Sequence, residues 1–393
     1  WHPVIFWDCS AGSEQNIRDF GSLAATFPGM SFVFMRKGMF GFGSLIDQMW
    51  RRPNTFVDVV YMTGYVNMLI NEFGAERILF GIRSRTDYGA TAAALAHYQI
   101  TEEERERIAH GNIERLLGLP ALSRKWHRPQ ALLEHKPLWE RYRRGGPVKD
   151  VTVIDAHGHA GPLSLGWYLR EITFDEQISR MTQQMDRLGV ERSVVSPTTA
   201  LFSEAWRGNT IAEKKLARAE GRFNGYLVYN PLYEDELVPA FDQFFSRGVF
   251  IGFKVLPVYW KIPVTDAGFE PVWAYADRHR LPVLVHTWED AFNAPHMLKD
   301  IVGRYPDAVF LLGHSGGTTR GRIEAEELAV DHDNVYLEFC GTFVSSRPFE
   351  KSMEIVGADS VVFGSDSWGH DLAWELGRYL SLPVADETLI PGL

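Results

Sequence analysis

The chain has 393 residues, which suits two or three domains or one large barrel with an additional piece. It is 45% hydrophobic and 23% charged, an ordinary globular composition, and its formal net charge of -10 argues against nucleic acid or an anionic membrane as the main partner. The two cysteines, Cys9 and Cys340, exclude a disulfide scaffold, and no apolar stretch is long enough to cross a bilayer. We therefore expect a cytoplasmic protein that acts on a small molecule, and we leave open whether it forms a homo-oligomer.

The first 119 residues contain four strand-like apolar runs separated by segments with helical spacing. The runs cover residues 2–6, 27–34, 54–58 and 73–81. Thr101 and Glu104 suit a capping box, so the pattern predicts a closing helix over residues 101–119.

Residues 120–147 are rich in Arg, Lys, His and Pro and predict a linker with one short helix near residues 138–143. We therefore divide the chain into a first domain over residues 1–119, a linker over 120–150 and a second domain over 151–393.

The second domain alternates between short apolar runs and helical segments. Strands are predicted at residues 151–154, 191–195, 222–229, 249–255, 282–285, 308–312, 335–339 and 360–363. Because these runs are continuously apolar, they predict a parallel sheet that is buried on both faces. Eight strands of this kind, each followed by a helix, predict a closed (β/α)8 TIM barrel.

The four runs of the first domain match the last four strand–helix units of the second domain in the same order. Residues 73–81, for example, align with residues 356–364 without a gap. The first domain is therefore predicted to be the C-terminal half of a second, partial TIM-barrel-like repeat. Since a half barrel leaves open sheet edges, we expect its other half before Trp1 or on a partner chain.

Five side chains of metal-ligand type stand at or just past the ends of predicted strands in the second domain. They are His157, His159, His286, His314 and Asp366. Right-handed crossovers place the C-terminal ends of all parallel strands on one face, so we expect these side chains to meet there. Imidazole and carboxylate together suit a divalent metal, zinc first, with Mn, Fe or Co as alternatives.

These residues carry a resemblance to the amidohydrolase superfamily, in particular to its amidohydrolase-related branch, which also contains decarboxylases. The matching motifs are Asp155-Ala156-His157-Gly158-His159, Val285-His286, Gly313-His314-Ser315-Gly316-Gly317 and Phe363-Gly364-Ser365-Asp366. The resemblance implies that His157, His159, His286 and Asp366 hold the metal. It also implies that His314 binds a second metal or orients water or substrate, and that Asp366 acts as the general base.

Other residues on the same face are candidates for substrate contact. Lys254 lies near the end of the fourth predicted strand, where some superfamily members carry a carboxylated lysine that bridges two metals. The alternative is an ordinary lysine that pairs with a carboxylate or with substrate. Trp288 follows the fifth strand, and Trp368 and His370 follow Asp366 in the last loop.

The first domain has lost the comparable ligands. Trp7, Arg36 and Arg83 stand where the second domain has His286, His314 and Asp366. Two of the replacements are cations, which would repel a metal. The first domain is therefore predicted to be a degenerate, non-catalytic repeat.

The leading hypothesis is a metal-dependent hydrolase that attacks a C–N or C–O bond with a metal-activated water, since a bound metal can lower the pKa of water from about 15.7 to roughly 7. The first alternative is a metal-dependent non-oxidative decarboxylase, in which the metal binds a substrate oxygen and Asp366 handles a proton. The second alternative is a non-catalytic scaffold of paired barrels.

Overall fold

The computed structural model describes residues 2–9, 13–35, 42–59, 66–82, 88–120, 135–162, 172–219, 221–342, 346–367 and 369–393. Arg36, Arg83, Trp368 and about half of the predicted linker lie outside the described residues. The chain divides into two compact units. The first comprises Trp1–Gly146, Leu165–Leu169 and Gly369–Ser381, and the second comprises Pro147–Ser164, Arg170–Trp368 and Leu382–Leu393.

The first unit contains a parallel sheet of four strands in the order β1-β2-β3-β4, as its four apolar runs predict. The strands are β1 (Val4–Asp8), β2 (Ser31–Met35), β3 (Thr55–Asp58) and β4 (Ile78–Leu79). The helices are α1 (Glu14–Thr26), α2 (Phe42–Arg51), α3 (Val66–Phe73), α4 (Tyr88–His97), α5 (Glu102–Glu106), α6 (Asn112–Leu117) and α7 (Pro137–Tyr142). The partial repeat predicted from the sequence agrees with this four-stranded sheet.

Local capping and aromatic packing explain much of the first unit. The Thr101 hydroxyl accepts a hydrogen bond from the Glu104 backbone N–H at 3.2 Å, and the Glu104 carboxylate accepts one from the Thr101 N–H at 2.8 Å, so the predicted capping box starts α5. Trp7 packs against Phe20 and Phe34, with ring centroids 5.0 and 6.1 Å away. The residue that stands where the second domain has His286 is therefore part of an aromatic cluster.

The second unit contains eight parallel strands in sequence order from β12 to β5, which confirms the predicted TIM-barrel architecture. The strands are β5 (Ile154–Ala160), β6 (Arg192–Pro197), β7 (Phe223–Val228), β8 (Phe250–Val255), β9 (Pro282–His286), β10 (Val309–Gly313), β11 (Val335–Glu338) and β12 (Val361–Val362). The chain after β12 pairs with β5, because the Ala156 N–H donates to the Phe363 carbonyl at 3.0 Å and Gly158 forms a parallel bridge with Ser367. The last strand segment therefore lies beside the first and closes the barrel.

Helices follow the strands through the rest of the chain. They are α8 (Phe174–Leu188), α9 (Thr198–Phe202), α10 (Ala205–Leu216), α11 (Glu234–Leu237), α12 (Phe241–Ser246), α13 (Pro257–Trp260), α14 (Glu270–His279), α15 (Lys299–Arg304), α16 (Thr319–Asp331), α17 (Ser346–Val356), α18 (Leu372–Leu380) and α19 (Asp386–Leu389). Helix α18 belongs to the first unit, where it packs so closely on α4 that a Cβ on Gly377 would lie 3.0 Å from the Cβ of Ala93. Among the described helices, none has the length and apolar character to span a membrane.

The first barrel strand differs from its predicted position. The sequence pattern predicts a strand over residues 151–154, whereas β5 begins at Ile154 and runs through both histidines to Ala160. Histidine and glycine have low intrinsic strand preference, but this segment has hydrogen-bonded neighbours on both sides, β6 and the chain after β12. Tertiary pairing therefore extends the strand beyond its apolar run and carries His157 and His159 within it.

Candidate metal centre

His157 and His159 point from β5 to the same face of the strand, as their spacing predicts. Their ring centroids are 5.4 Å apart, and the His157 side chain is fully buried. Burial and the nearby Lys254 charge lower the pKa of His157 to about 3, which keeps the ring neutral. A neutral imidazole is the form that binds metal.

Asp366 joins this pair from the loop after β12. Its Oδ1 accepts a hydrogen bond from His159 Nε2 at 2.7 Å and lies 3.8 Å from His157 Nε2. Its backbone N–H donates to the His157 carbonyl at 2.6 Å, and its φ of 52° lies in the left-handed region, which costs energy for a residue other than glycine. The closing loop therefore holds the carboxylate against β5 in a strained conformation of the kind that clusters at functional sites.

His286 and His314 complete the set of predicted ligands. His286 is the last residue of β9, and His314 directly follows β10; their ring centroids are 4.6 Å apart. His314 donates from Nδ1 to the Cys340 carbonyl at 2.8 Å, and its ring centroid lies 5.1 Å from that of His157. Burial, followed by the charge of His314, lowers the pKa of His286 well below its usual value.

The donor atoms fit a divalent metal. One ligand atom each from His157, His159 and Asp366 lies within 4.8 Å of the other two, and so do ligand atoms of His314, Cys340 and Asp366. Two imidazole nitrogens and a carboxylate oxygen form a donor set that zinc and related divalent ions accept. Within the described part of the chain, His286 is in neither group, and the other four predicted ligands fall into two groups that share Asp366.

Two residues at this centre were not singled out from the sequence. Glu338 at the end of β11 accepts a hydrogen bond from His157 Nδ1 at 2.7 Å, and the Cys340 thiol donates to the same carboxylate at 2.9 Å. Burial alone would raise the pKa of Glu338, but the hydrogen bonds that it accepts from His157 and from the Cys340 thiol outweigh burial and lower the pKa to about 2, so the carboxyl is ionised. The sequence pattern that identified the ligands also applies to Glu338, because this residue too stands at the end of an apolar strand.

Lys254 lies directly beside His157. Its Nζ donates to His157 Nε2 at 3.1 Å, and the side chain is fully buried in the second unit. Burial lowers the pKa of this ammonium to about 8, although Asp366, Cys340 and Glu338 act in the opposite direction. The lysine predicted near the end of the fourth barrel strand thus reaches the candidate metal centre.

Asp155 fastens the strands that carry these groups. Its Oδ1 accepts from the backbone N–H of His157 at 3.2 Å and of Ser365 at 2.9 Å, and its Oδ2 accepts from the hydroxyls of Ser193 and Ser365, each at 2.8 Å. One buried carboxylate therefore connects β5, β6 and the loop that carries Asp366. Asp155 therefore positions His157 and Asp366 and does not itself contact a metal or a substrate in this proposal.

Two exposed or half-exposed aromatic side chains contact His286, and a third contacts one of them. This aromatic collar consists of Phe202, Tyr259 and Trp288. The Tyr259 ring meets the His286 ring edge to face at 5.7 Å, and Trp288 stacks on it at 6.5 Å. Phe202 meets Tyr259 at 5.6 Å, so the three rings form a continuous apolar surface beside the candidate ligands.

The remaining predicted site residues have other positions. His370 is buried and belongs to the first unit, together with the helix that follows it. Its contact with substrate stays a prediction, and Trp368 lies outside the described residues.

The sequence model of the amidohydrolase family matches residues 10–119 and 154–390. The chain belongs to the amidohydrolase family. Membership makes this protein an enzyme of the amidohydrolase type, a group of hydrolases and decarboxylases, and the matched residues include all five predicted ligands. No curated protein sequence matches this amidohydrolase.

Solved structures are similar to this chain, and the first of those named here shows the same fold. The 2,6-dihydroxybenzoate decarboxylase from Rhizobium is similar with a TM-score of 0.50 and 14% identity, over 62% of this chain and 96% of that one. A 5-carboxyvanillate decarboxylase from Novosphingobium aromaticivorans, solved with manganese and 4-hydroxy-3-methoxy-5-nitrobenzoic acid, has a TM-score of 0.49 and 13% identity, over 62% and 93% of the two chains. A TIM-barrel protein from Bordetella bronchiseptica has a TM-score of 0.49 and 16% identity, over 61% and 95%.

Proposed function

We propose that this amidohydrolase is a metal-dependent, non-oxidative decarboxylase of a small, flat organic acid. The observation that carries the proposal is the convergence of His157, His159 and Asp366, whose ligand atoms lie within 4.8 Å of one another in the second unit. Zinc is the first candidate for the metal, with Mn, Fe or Co as alternatives, because the donor set suits all of them. His286 and His314 are proposed as the further ligand and the residue that orients substrate or water.

The residues of the centre suit the two demands of decarboxylation. The bond between the carboxyl carbon and its neighbour breaks, carbon dioxide leaves, and the electron pair remains on the neighbouring carbon until that carbon takes a proton. A divalent cation held here would polarise a substrate oxygen and so draw electron density away from that carbon. Asp366 is proposed to carry the proton, since it contacts both histidines of β5.

The aromatic collar supports a planar substrate. Offset or edge-to-face contact between rings is favourable beyond the burial of area alone. Tyr259 is 55% exposed and Trp288 is 36% exposed, so both present ring surface that a ligand can cover. The Rhizobium decarboxylase is named for an aromatic acid, 2,6-dihydroxybenzoate, and we propose an acid of this chemical class for the present chain.

Hydrolysis of a C–N or C–O bond is the second candidate. It is supported by the 2.7 Å contact of Asp366 with His159, because a carboxylate in this position could take a proton from a water bound between the histidines. The two reactions require different substrates from the same centre: an acid for decarboxylation, and an ester, lactone or amide for hydrolysis.

The experiment that separates them measures two products in parallel. Purified protein loaded with Zn²⁺ or Mn²⁺ is incubated with hydroxybenzoic acids and with their amides and esters, and carbon dioxide and hydrolysis products are quantified. Decarboxylation predicts carbon dioxide from the acids, lost in the His157→Ala variant and after chelation. Hydrolysis of amides or esters without carbon dioxide release from any acid would favour the second candidate.

The first unit is proposed to be non-catalytic. In its described residues, β1 carries Trp7 inside an aromatic cluster where the second unit has a histidine. Both predicted cationic replacements, Arg36 and Arg83, lie outside the described residues. Metal analysis of the whole chain tests the idea, because a single competent barrel binds no metal once His157 and Asp366 are both replaced.

A further inference from the structure

Lys254 presents an unusual electrostatic arrangement. Its side chain is 0% exposed, and its Nζ has His157 Nε2 as its hydrogen-bond acceptor at 3.1 Å. Among the described residues, no carboxylate oxygen lies within 4.0 Å of this ammonium. A buried charge without an adjacent counterion is costly, so the position calls for an anion.

The nearby carboxylates are already engaged. Glu338 accepts the hydrogen bond from His157 Nδ1 at 2.7 Å, and Asp366 accepts the one from His159 at 2.7 Å. Since His157 donates from Nδ1, the lone pair that Lys254 contacts is on Nε2, and this is the lone pair that a metal would need. A metal bound through Nε2 would take this acceptor from Lys254, and the ammonium would then have a second cation as its neighbour.

We propose that Lys254 binds the carboxylate of the substrate next to the candidate metal centre, an inference that rests on the proposed function. An organic anion between the lysine and the metal would be attracted by both cations and would restore a hydrogen-bond acceptor to Nζ. Lys254 stands on β8, and Tyr259 of the aromatic collar lies in α13, which directly follows that strand. One strand and its loop thus supply the contact for the anionic group and a contact for the ring.

The competing role for Lys254 is that of a metal ligand, as in a carboxylated lysine that bridges two ions. The two roles of Lys254 predict different metal contents and different effects of replacing the lysine. A bridging lysine predicts two metal ions per chain and loss of metal when the lysine is replaced. A lysine that binds substrate predicts unchanged metal content and loss of anion binding.

The test uses the full chain loaded with Co²⁺ or Zn²⁺ and two probes that differ mainly in charge, benzoate and benzamide. Dissociation constants are measured by isothermal titration calorimetry for the wild type, Lys254→Met, Lys254→Arg and a matched control, Lys214→Met, whose side chain is exposed on α10. Metal content is measured on every sample by elemental mass spectrometry.

We expect the wild type and Lys214→Met to prefer benzoate over benzamide. Lys254→Met should lose roughly ten- to hundredfold in benzoate affinity, as for a hydrogen bond to a charged group, and should keep its metal and its affinity for benzamide. Lys254→Arg should retain part of the preference for benzoate, because it keeps the charge.

Three results would overturn the inference: equal benzoate affinity in Lys254→Met and wild type, no preference for benzoate in the wild type, or loss of metal in Lys254→Met. Its failure is distinct from failure of the proposed function. Lysine-dependent benzoate binding without carbon dioxide release from any acid would keep the inference and reject decarboxylation. Carbon dioxide release with lysine-independent benzoate binding would do the reverse.

Discussion

The Nδ1 atom of His157 on the first barrel strand lies 2.7 Å from the carboxylate of Glu338 on the seventh, and both side chains are fully buried. This contact joins residues 181 positions apart in the sequence. It fixes the proton on Nδ1 and directs the free lone pair on Nε2 toward Asp366 and Lys254. A carboxylate that accepts a hydrogen bond from one ring nitrogen of a histidine commonly orients the other nitrogen for metal binding.

Replacing Glu338 with glutamine should weaken metal binding by about 10- to 100-fold, because the imidazole loses its charged acceptor and part of its basicity. The measurement is competition for Zn²⁺ with a chelator of known affinity, and the matched control is Glu354→Gln, whose side chain is exposed on α17. Unchanged zinc affinity in Glu338→Gln would show that this carboxylate does not support the metal ligand.

Removing a proposed ligand should abolish metal binding altogether. Of the three donors that lie within 4.8 Å of one another, His157→Ala deletes one and Asp366→Asn removes the negative charge of another, so we expect the metal content to fall to background. The control is His279→Ala, because that histidine is exposed and stacks on Tyr275 at 4.2 Å. Full metal content in His157→Ala would remove the basis of the proposed centre.

Replacing Asp155 should destabilise the barrel. In Asp155→Ala two buried backbone N–H groups and two serine hydroxyls lose their acceptor, so we expect the free energy of unfolding to fall by about 3 kcal/mol. Asp155→Asn keeps one acceptor oxygen and should lose less. Urea unfolding measures the free energy of unfolding of each variant, and the control is Asp333→Ala, whose side chain is exposed. An equal loss of stability in Asp155→Ala and Asp333→Ala would contradict the prediction.

Replacing Trp288 should weaken substrate binding more than it slows turnover. Trp288→Ala removes a half-exposed ring that stacks on His286, so KM for an aromatic acid should rise by about tenfold, the equivalent of about 1.4 kcal/mol. Trp288→Phe keeps an aromatic face and should recover much of that loss. Steady-state rates of carbon dioxide release test this, and an unchanged KM in Trp288→Ala would mean that the ring does not contact the substrate.

The secondary structure of the second unit was largely predictable. Helix α8, for example, has apolar residues at helical spacing, and its bounds, Phe174 and Leu188, follow from local residues: Thr173 caps its start and Gly189 ends it with a φ of 82°. The short helices α9 and α13 were not predicted, although they carry Phe202 and Tyr259 of the aromatic collar. Segments of four or five residues have too few turns to show a helical period.

The candidate ligands were predictable as a set but not in their arrangement. The ends of apolar runs identified His157, His159, His286, His314 and Asp366, and parallel topology placed them on one face. The same pattern ends β11 at Glu338, but nothing local distinguishes a carboxylate that orients His157 from one that binds a metal. Lys254 was found, yet the absence of an adjacent carboxylate among the described residues depends on neighbours from other strands.

The amino-acid sequence by itself determined the order of strands and helices and the residue types at their ends, because both follow from apolar spacing and from capping residues within a few positions. Only the tertiary structure decided which of those residues meet. The 2.7 Å contact between His159 and Asp366 spans 207 positions, and it exists because the chain after β12 pairs with β5 and closes the barrel. Such contacts depend on closure of the whole sheet, which no short segment of the chain encodes.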